Sequence, residues 1–196
     1  MPHAAALLTT DRLLLRAPHP GQAEAVVDYR CRNTAHFARW DPPQPPDATV
    51  PERVRAGLVD ARTAFDGGLA LRWWLFEQQA PERVIGTVHL SALMRGPFQN
   101  ATLGYGIDAD AQGQGLMQEA LRAVIAAAFG PAIHLHRLQA AVRPENTRSL
   151  ALLTRLGFAE VGLARDYLFI AGAWRDHRLF ALTNEDFEVP AHWRSA

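Results

Sequence analysis

The segment that most restricts the fold is Asn100 to Pro131, NATLGYGIDADAQGQGLMQEALRAVIAAAFGP. Its front, ATLGYGI, reads as a strand. From Leu116 onward, Leu116, Met117, Ala120, Leu121, Val124, Ile125 and Ala128 recur at helical spacing, interrupted by Gln118, Glu119 and Arg122. One side of that helix therefore packs on a sheet, and Gly130-Pro131 ends it. The joint between strand and helix is Gln112-Gly113-Gln114-Gly115, with no Ser, Thr, Asp or Asn placed to cap the helix. The first N–H groups of a helix have no partner within it. Together with the positive end of the helix dipole they favour an anion, above all a phosphate. Gly113 and Gly115 remove side chains where such a ligand would approach. Two glycines alone also fit a tight turn that binds nothing. Neither standard nucleotide fingerprint is present, because G-x-x-x-x-G-K-[ST] is absent and G-x-G-x-x-G would need glycine at Gln118.

Around this joint, DRLLLRA (Asp11 to Ala17) reads as a first strand. GQAEAVVDYRCRN and PERVRAGLVDARTAF read as helices, the second with Pro51 in or before its first turn. LALRWWLFE and VIGTVHLSAL make two strands about a turn in QQAPER, and HRLQAAV is a strand stopped by Pro144. NTRSLALLTRL reads as a helix with Asn146 at its N-cap and Gly157 just past its end. FAEVGLARDYLFI and AWRDHRLFALT pair as a hairpin across Ala171-Gly172. WDPPQPPDATVPER, with five prolines, reads as a stiff surface loop. The order is that of an α/β (α+β) chain: a mixed sheet of seven strands flanked by about four helices. At 196 residues it is expected to form one domain over 1–196, with its core in about 9–187.

Basic and acidic residues balance at 20 each, which gives no electrostatic footprint for nucleic acid or an anionic membrane. Cys31 is the only cysteine, so neither an internal disulfide nor a cysteine-based metal site is possible. His134 and His136 stand two apart with no third ligand at recognisable spacing, and no metal is expected. MPHAAALLTTDR lacks the pattern of a secretory signal, and no apolar run is long enough to span a bilayer. A cytoplasmic protein is expected.

Gln112-Gly113-Gln114-Gly115-Leu116-Met117, after a strand and opening a helix, resembles the Q/R-x-x-G-x-G/A pyrophosphate loop of the GNAT N-acetyltransferases, with Met117 replacing the final Gly or Ala. The order of elements is similar to the GNAT fold over nearly the whole chain. RGPFQNATLGYGI, GQGLMQEAL, NTRSLALLTRLGF, ARDYLFIAGAWRDHRLFALT, TTDRLLLR and ARWDP together resemble the RimJ-type ribosomal-protein-alanine N-acetyltransferases. The resemblance implies a mostly antiparallel sheet whose fourth and fifth strands splay apart around the pantetheine arm of acetyl-CoA. Tyr105, Gly106 and Ile107 would offer backbone groups to that arm. Gln112, Gly113, Gln114, Gly115, Leu116 and Met117 would hold the pyrophosphate.

Acetyl transfer to an amine needs a neutral amine, a polarised carbonyl and a stabilised leaving thiolate. Many GNAT enzymes protonate the thiolate with a tyrosine seven residues after the asparagine. Here that position is Leu153. The resemblance implies instead that Asn146 bonds the pantetheine arm and Ser149 acts as general acid. The strand Ala101 to Ile107 holds no carboxylate, and Asp166 is the candidate for holding or deprotonating the amine. An α-amine, with a pKa near 7.7–8.0 against about 10.4 for lysine, places less demand on a base. Trp40, Arg95 and Phe98, in the segments flanking the mouth, are candidates for contacting the substrate. The expected reaction is direct transfer to an N-terminal alanine, serine or threonine of a ribosomal protein, by a monomer or homodimer. The alternatives are a small-molecule amine as acceptor, or an acetyl-CoA-binding factor on the ribosome that does not turn over.

Overall fold

The computed structural model describes residues 5–194, so the two ends of the expected domain, 1–4 and 195–196, lie outside the described residues. The strands are β1 (Leu7–Thr9), β2 (Leu13–Arg16), β3 (Leu71–Glu77), β4 (Ala80–Met94), β5 (Asn100–Ile107), β6 (Arg137–Val142), β7 (Ala159–Ile170) and β8 (Ala173–Thr183). The helices are α1 (Ala23–Phe37), α2 (Pro51–Asp66), α3 (Leu116–Phe129) and α4 (Thr147–Arg155). The strands form one sheet in the order β1-β2-β3-β4-β5-β6-β8-β7. Every neighbouring pair is antiparallel except β5 and β6.

β3 shows why both faces of the sheet must be covered. Trp73 and Trp74 point to opposite sides, and both are buried. On one side Leu71, Trp73 and Leu75 join Leu13, Leu15, Val88, Leu90 and Leu103. That core continues through Ala120, Leu121 and Val124 of α3 and Leu153 of α4. On the other side Trp74, Phe76 and Val84 meet Val26 and Tyr29 of α1 and Val54 and Leu58 of α2. The small residues of α3 let it lie close to the strands, and Leu153 of α4 is fully buried in this core.

Three expectations are corrected. The sheet has eight strands rather than seven, because Leu7–Thr9 folds back on Leu14–Arg16 as a separate edge strand. Long-range bonds pin that hairpin: Thr10 Oγ1 donates to Glu119 Oε1 (2.6 Å), as does the Arg12 backbone N–H (2.9 Å). The turn expected over QQAPER is confined to Gln78-Gln79, and Ala80–Arg83 already belongs to β4. Finally, α1 continues beyond Asn33 to Phe37, which carries His36 and Phe37 over the end of β5.

The parallel pair positions everything that follows. Only Asn100, Ala101 and Thr102 of β5 register with Arg137, Leu138 and Gln139 of β6. Beyond Thr102, β5 stays paired with β4 as far as Ile107, while β6 stays paired with β8 as far as Val142. The two strands diverge. The end of β5 is anchored by Asp108, almost fully buried, which accepts from Arg32 Nε (2.7 Å), Arg83 Nη2 (3.3 Å) and the Asp110 N–H (3.1 Å). Burial alone would raise its pKa. The bonds from Arg32 and Asp110 and the two guanidinium charges outweigh burial and hold the carboxyl below its ordinary range.

β4 and β5 approach closely at Gly86, where a Cβ would lie 2.8 Å from the Gly106 carbonyl oxygen. Backbone cannot move aside as a side chain can. Gly86→Ala is expected to cost about 1–3 kcal/mol, read as a lower urea midpoint; an unchanged midpoint would contradict this packing.

Candidate active site

The turn from β5 into α3 is built on two left-handed glycines. Gly113 and Gly115 have φ of 77° and 78°, a conformation costly for residues with a Cβ. Both are exposed, and nothing lies within 4 Å of where a Gly113 Cβ would be. No side chain caps α3. Leu116 and Met117 turn their side chains into the core, so a ligand at this end can be offered only their N–H groups. Glu119 adds a carboxylate in the first turn and fixes Arg12, whose Nε donates to Glu119 Oε2 (2.7 Å). Arg12 Nη1 in turn donates to the Gln114 carbonyl (3.0 Å), which holds the shape of the loop. On the far side, Gln112 Oε1 accepts from Arg148 Nη1 of α4 (2.5 Å), and Gln112 Nε2 lies 3.0 Å from His36 Nε2 of α1. The loop is thus an uncapped helix end flanked by two guanidinium groups, an arrangement suited to a polyanion. Gln112 through Met117 form this turn and the start of α3. Arg12, His36 and Arg148 were not foreseen, because each reaches the loop from a distant part of the chain, and Glu119, although local, could not be paired with Arg12 from sequence.

From this loop the gap between β5 and β6 runs into the molecule. Along it β5 presents Tyr105, Gly106 and Ile107, all half-buried. Alternate backbone groups of a strand point away from its paired neighbour, and here they face the gap. The Tyr105 hydroxyl lies 2.6 Å from Ser149 Oγ. Ser149 sits in the first turn of α4, where Asn146 Oδ1 accepts its N–H (3.2 Å). The cap leaves the Asn146 amide nitrogen available to a ligand. Burial pushes the Tyr105 hydroxyl up to about 12, against the lowering effect of its bond to Ser149, so it remains protonated and able to donate. Sequence reasoning gave Tyr105 a backbone role and missed the side chain. Strand alternation puts Tyr105 on the face of Leu103 and Ile107, but only the packing of α4 brings a hydroxyl to it.

The remaining candidates are distributed more widely. Trp40 is half-buried at the open end of the gap, with the Arg39 and Arg143 guanidinium groups 5.0 Å and 5.6 Å from its ring. Arg95 and Phe98 precede β5, at the end where β5 and β6 are still paired. Arg95 Nη1 donates to the Ile133 carbonyl (2.7 Å) and to Gln99 Oε1 (3.2 Å), fastening the approach to β6. The structure does not bring these two to the Tyr105–Ser149 pair. Asp166 stands exposed in a bulge of edge strand β7, with φ of 47°, its N–H donating to Asp176 Oδ1 (2.9 Å). It too is not joined to the pair. His134 and His136 pack on Phe187, at ring distances of 4.6 Å and 5.4 Å. Among the described residues, no group of three His, Cys, Asp or Glu side chains could hold a metal ion, and no helix is long and apolar enough to cross a membrane.

Residues 12–159 match the family model of the acetyltransferase (GNAT) domain. The [ribosomal protein uS5]-alanine N-acetyltransferase of Escherichia coli K12 is 40% identical over 180 residues, 92% of either chain. Among solved structures, the ribosomal-protein-S5-alanine acetyltransferase of Vibrio fischeri superposes with a TM-score of 0.89 at 32% identity, over 93% of this chain and 99% of that one. Mycobacterium smegmatis RimJ, solved in complex with CoA-disulfide, superposes at 0.81 with 30% identity, over 93% and 87%. An uncapped, doubly glycine-hinged helix beside two diverging parallel strands, in a chain this similar to such enzymes, leads to one conclusion: the chain belongs to the GNAT acetyltransferase family.

Proposed function

We propose that the protein transfers the acetyl group of acetyl-CoA directly to the α-amine of an N-terminal alanine, serine or threonine on a ribosomal protein. The observation that carries the mechanism is the 2.6 Å contact of Tyr105 with Ser149 inside the strand gap. The substrate class is supported by the E. coli relative, named for the alanine of uS5.

The chain's own groups fit acetyl-CoA. The Gly113–Met117 N–H groups take the pyrophosphate, with Arg12 and Arg148 on either side. The pantetheine arm enters the gap as a strand would, pairing with the free edge of β5 and with the Asn146 amide. An N–H of β5 then polarises the thioester carbonyl. Ser149, with Tyr105 donating to its oxygen, directs its own proton at the sulfur. Chained hydroxyls polarise one another, which strengthens that outer donor. A thiolate, with a pKa near 8.5, is a weaker base than either ionised hydroxyl. The pair therefore acts by a hydrogen bond that tightens as the C–S bond lengthens, and the net proton reaching sulfur originates on the attacking nitrogen.

β5 carries no carboxylate from Asn100 to Ile107. An α-amine suits such a site, since about a tenth or more of it is neutral at pH 7, against well under a thousandth of lysine side chains.

Coenzyme A release is expected with peptides that begin with Ala, Ser or Thr. It should be absent with the same peptides already N-acetylated and at least tenfold slower with a polyamine or aminoglycoside. Faster turnover on those small amines would overturn the substrate class. Ser149→Ala should lower kcat by about 10²-fold and Tyr105→Phe by about tenfold, with the KM for acetyl-CoA little changed. Because the two hydroxyls act as one unit, the double variant should be no slower than Ser149→Ala. Costs that multiply would mean that the two act separately.

A further inference from the structure

α1 lies across the end of β5 and meets the segment beyond it at successive points. Arg32 donates to Asp108 Oδ2 (2.7 Å), Asn33 Oδ1 accepts the Ala109 N–H (3.0 Å), and His36 Nε2 lies 3.0 Å from Gln112 Nε2. The first two bonds fix the end of β5. The last reaches the residue that leads into Gly113 and Gly115, and its chemistry depends on where the imidazole carries its proton.

That proton is placed from the far end of the contact. Gln112 also meets Arg148, whose Nη1 lies 2.5 Å from Gln112 Oε1. A guanidinium can only donate, so the amide atom facing it must be the oxygen. The amide nitrogen is thereby turned to His36 as a donor, and His36 Nε2 must receive it with a bare lone pair. The imidazole proton then sits on Nδ1. Donation runs one way, from Arg148 to Gln112 to His36. A hydrogen on His36 Nε2 would set donor against donor at that end or, after rotation of the amide, against Arg148.

His36 is itself held from both sides. Three residues earlier, the fully buried Asn33 ties α1 to Ala109, and its Nδ2 donates to the Tyr29 carbonyl (2.9 Å). Three residues later, the Arg39 carbonyl accepts from Arg143 Nη1 (2.5 Å), just past the end of β6. The end of α1 therefore spans the mouth of the strand gap and is fastened to both of its sides. Arg148 differs: it is exposed in the first turn of α4, next to Ser149, and among the described residues its bond to Gln112 is its one hydrogen bond. An exposed arginine side chain occupies many rotamers, and ordering it on an anion costs that freedom.

We propose that His36 is a positioning residue for acetyl-CoA: its unprotonated Nε2 orients the Gln112 amide, which holds the Arg148 guanidinium beside the glycine turn before the pyrophosphate arrives. The proposal rests on the acetyl-CoA reading of that turn. His36 touches neither donor nor acceptor and acts through Gln112. Because Arg148 answers to the pyrophosphate rather than the thioester, the relay governs affinity for the donor and leaves the chemical step alone. It also sets what residue 36 must be. A side-chain acceptor such as glutamine can replace the imidazole, whereas an apolar side chain leaves the Gln112 amide free to turn.

The test combines the Kd of coenzyme A, measured by calorimetry, with kcat on an Ala-initiated peptide. The proteins are wild type, His36→Gln, His36→Leu, Arg148→Ala and the double variant His36→Leu/Arg148→Ala. His36→Leu should weaken coenzyme A about fivefold with kcat within about twofold, the size of effect expected for one bracing hydrogen bond. His36→Gln should restore the affinity to within about twofold. In the Arg148→Ala background, His36→Leu should add nothing further. With S-acetyl-pantetheine, which lacks the pyrophosphate, kcat/KM should be the same in His36→Leu as in wild type. Ring 15N shifts of the labelled protein at about pH 8, above the range in which histidines usually carry charge, should show His36 Nδ1 protonated and Nε2 bare. An unchanged Kd in His36→Leu, an equal loss on S-acetyl-pantetheine, or a hydrogen on Nε2 would each overturn the proposal. An equal loss would make His36 a general support of α1 instead. Failure of the acetyl-CoA reading is distinct, since wild type would then bind no coenzyme A and the relay would fall with it.

Discussion

β5 and β6 are parallel neighbours for only three residue pairs, Asn100–Thr102 against Arg137–Gln139, and the site depends on their parting at that point. A strand edge with unpaired N–H and C=O groups is normally a liability inside a protein. Here the neighbouring elements leave no other outcome. β4 holds β5 as far as Ile107, and the buried Asp108, gripped by Arg32 and Arg83, fixes where β5 ends. β8 holds β6 on its far side. With both strands committed to other partners, the gap between them stays open and its backbone groups stay available to a ligand that can pair like a strand.

The same divergence explains why the charged and hydroxyl-bearing groups sort as they do. One face of β5 carries Tyr105 against Ser149, next to the uncapped start of α3. The other carries two glycines beneath His89 and Tyr29. α1 serves both, since His36 braces the glycine loop through Gln112 while Tyr29 and Phe37 cover Gly106 on the opposite face. The fold is therefore organised about one strand whose two faces carry different groups and whose edge toward β6 is left unpaired beyond Thr102.

What could be read from the sequence was local. The glycine turn, the α3 stripe, the Asn146 cap and the closing hairpin each declare themselves within a dozen residues, because helix ends and turns are decided by neighbours in the chain. The eighth strand was not legible, since Leu7–Thr9 is too short to stand out and is held by Glu119, more than a hundred residues away. Tyr105 and Ser149 are 44 residues apart, and neither carries a motif announcing the other. The packing on the opposite face of β5 was hidden for the same reason. Tyr29, Trp74 and His89 look like ordinary core residues. Arg95 and Phe98 were expected to flank the mouth, but they precede β5 at the end where it is still paired with β6.

The central claim is that acetyl-CoA and a protein N-terminus meet where β5 and β6 diverge. The most direct measurement is inhibition by a conjugate in which the sulfur of coenzyme A is joined, through an acetyl-length bridge, to the α-nitrogen of an Ala-initiated peptide. The account predicts competition with both acetyl-CoA and the peptide, and affinity at least 10²-fold above that of either part, because the second contact becomes intramolecular. Competition with acetyl-CoA alone, at the affinity of coenzyme A itself, would mean that the peptide arm finds no site beside the donor and would contradict it.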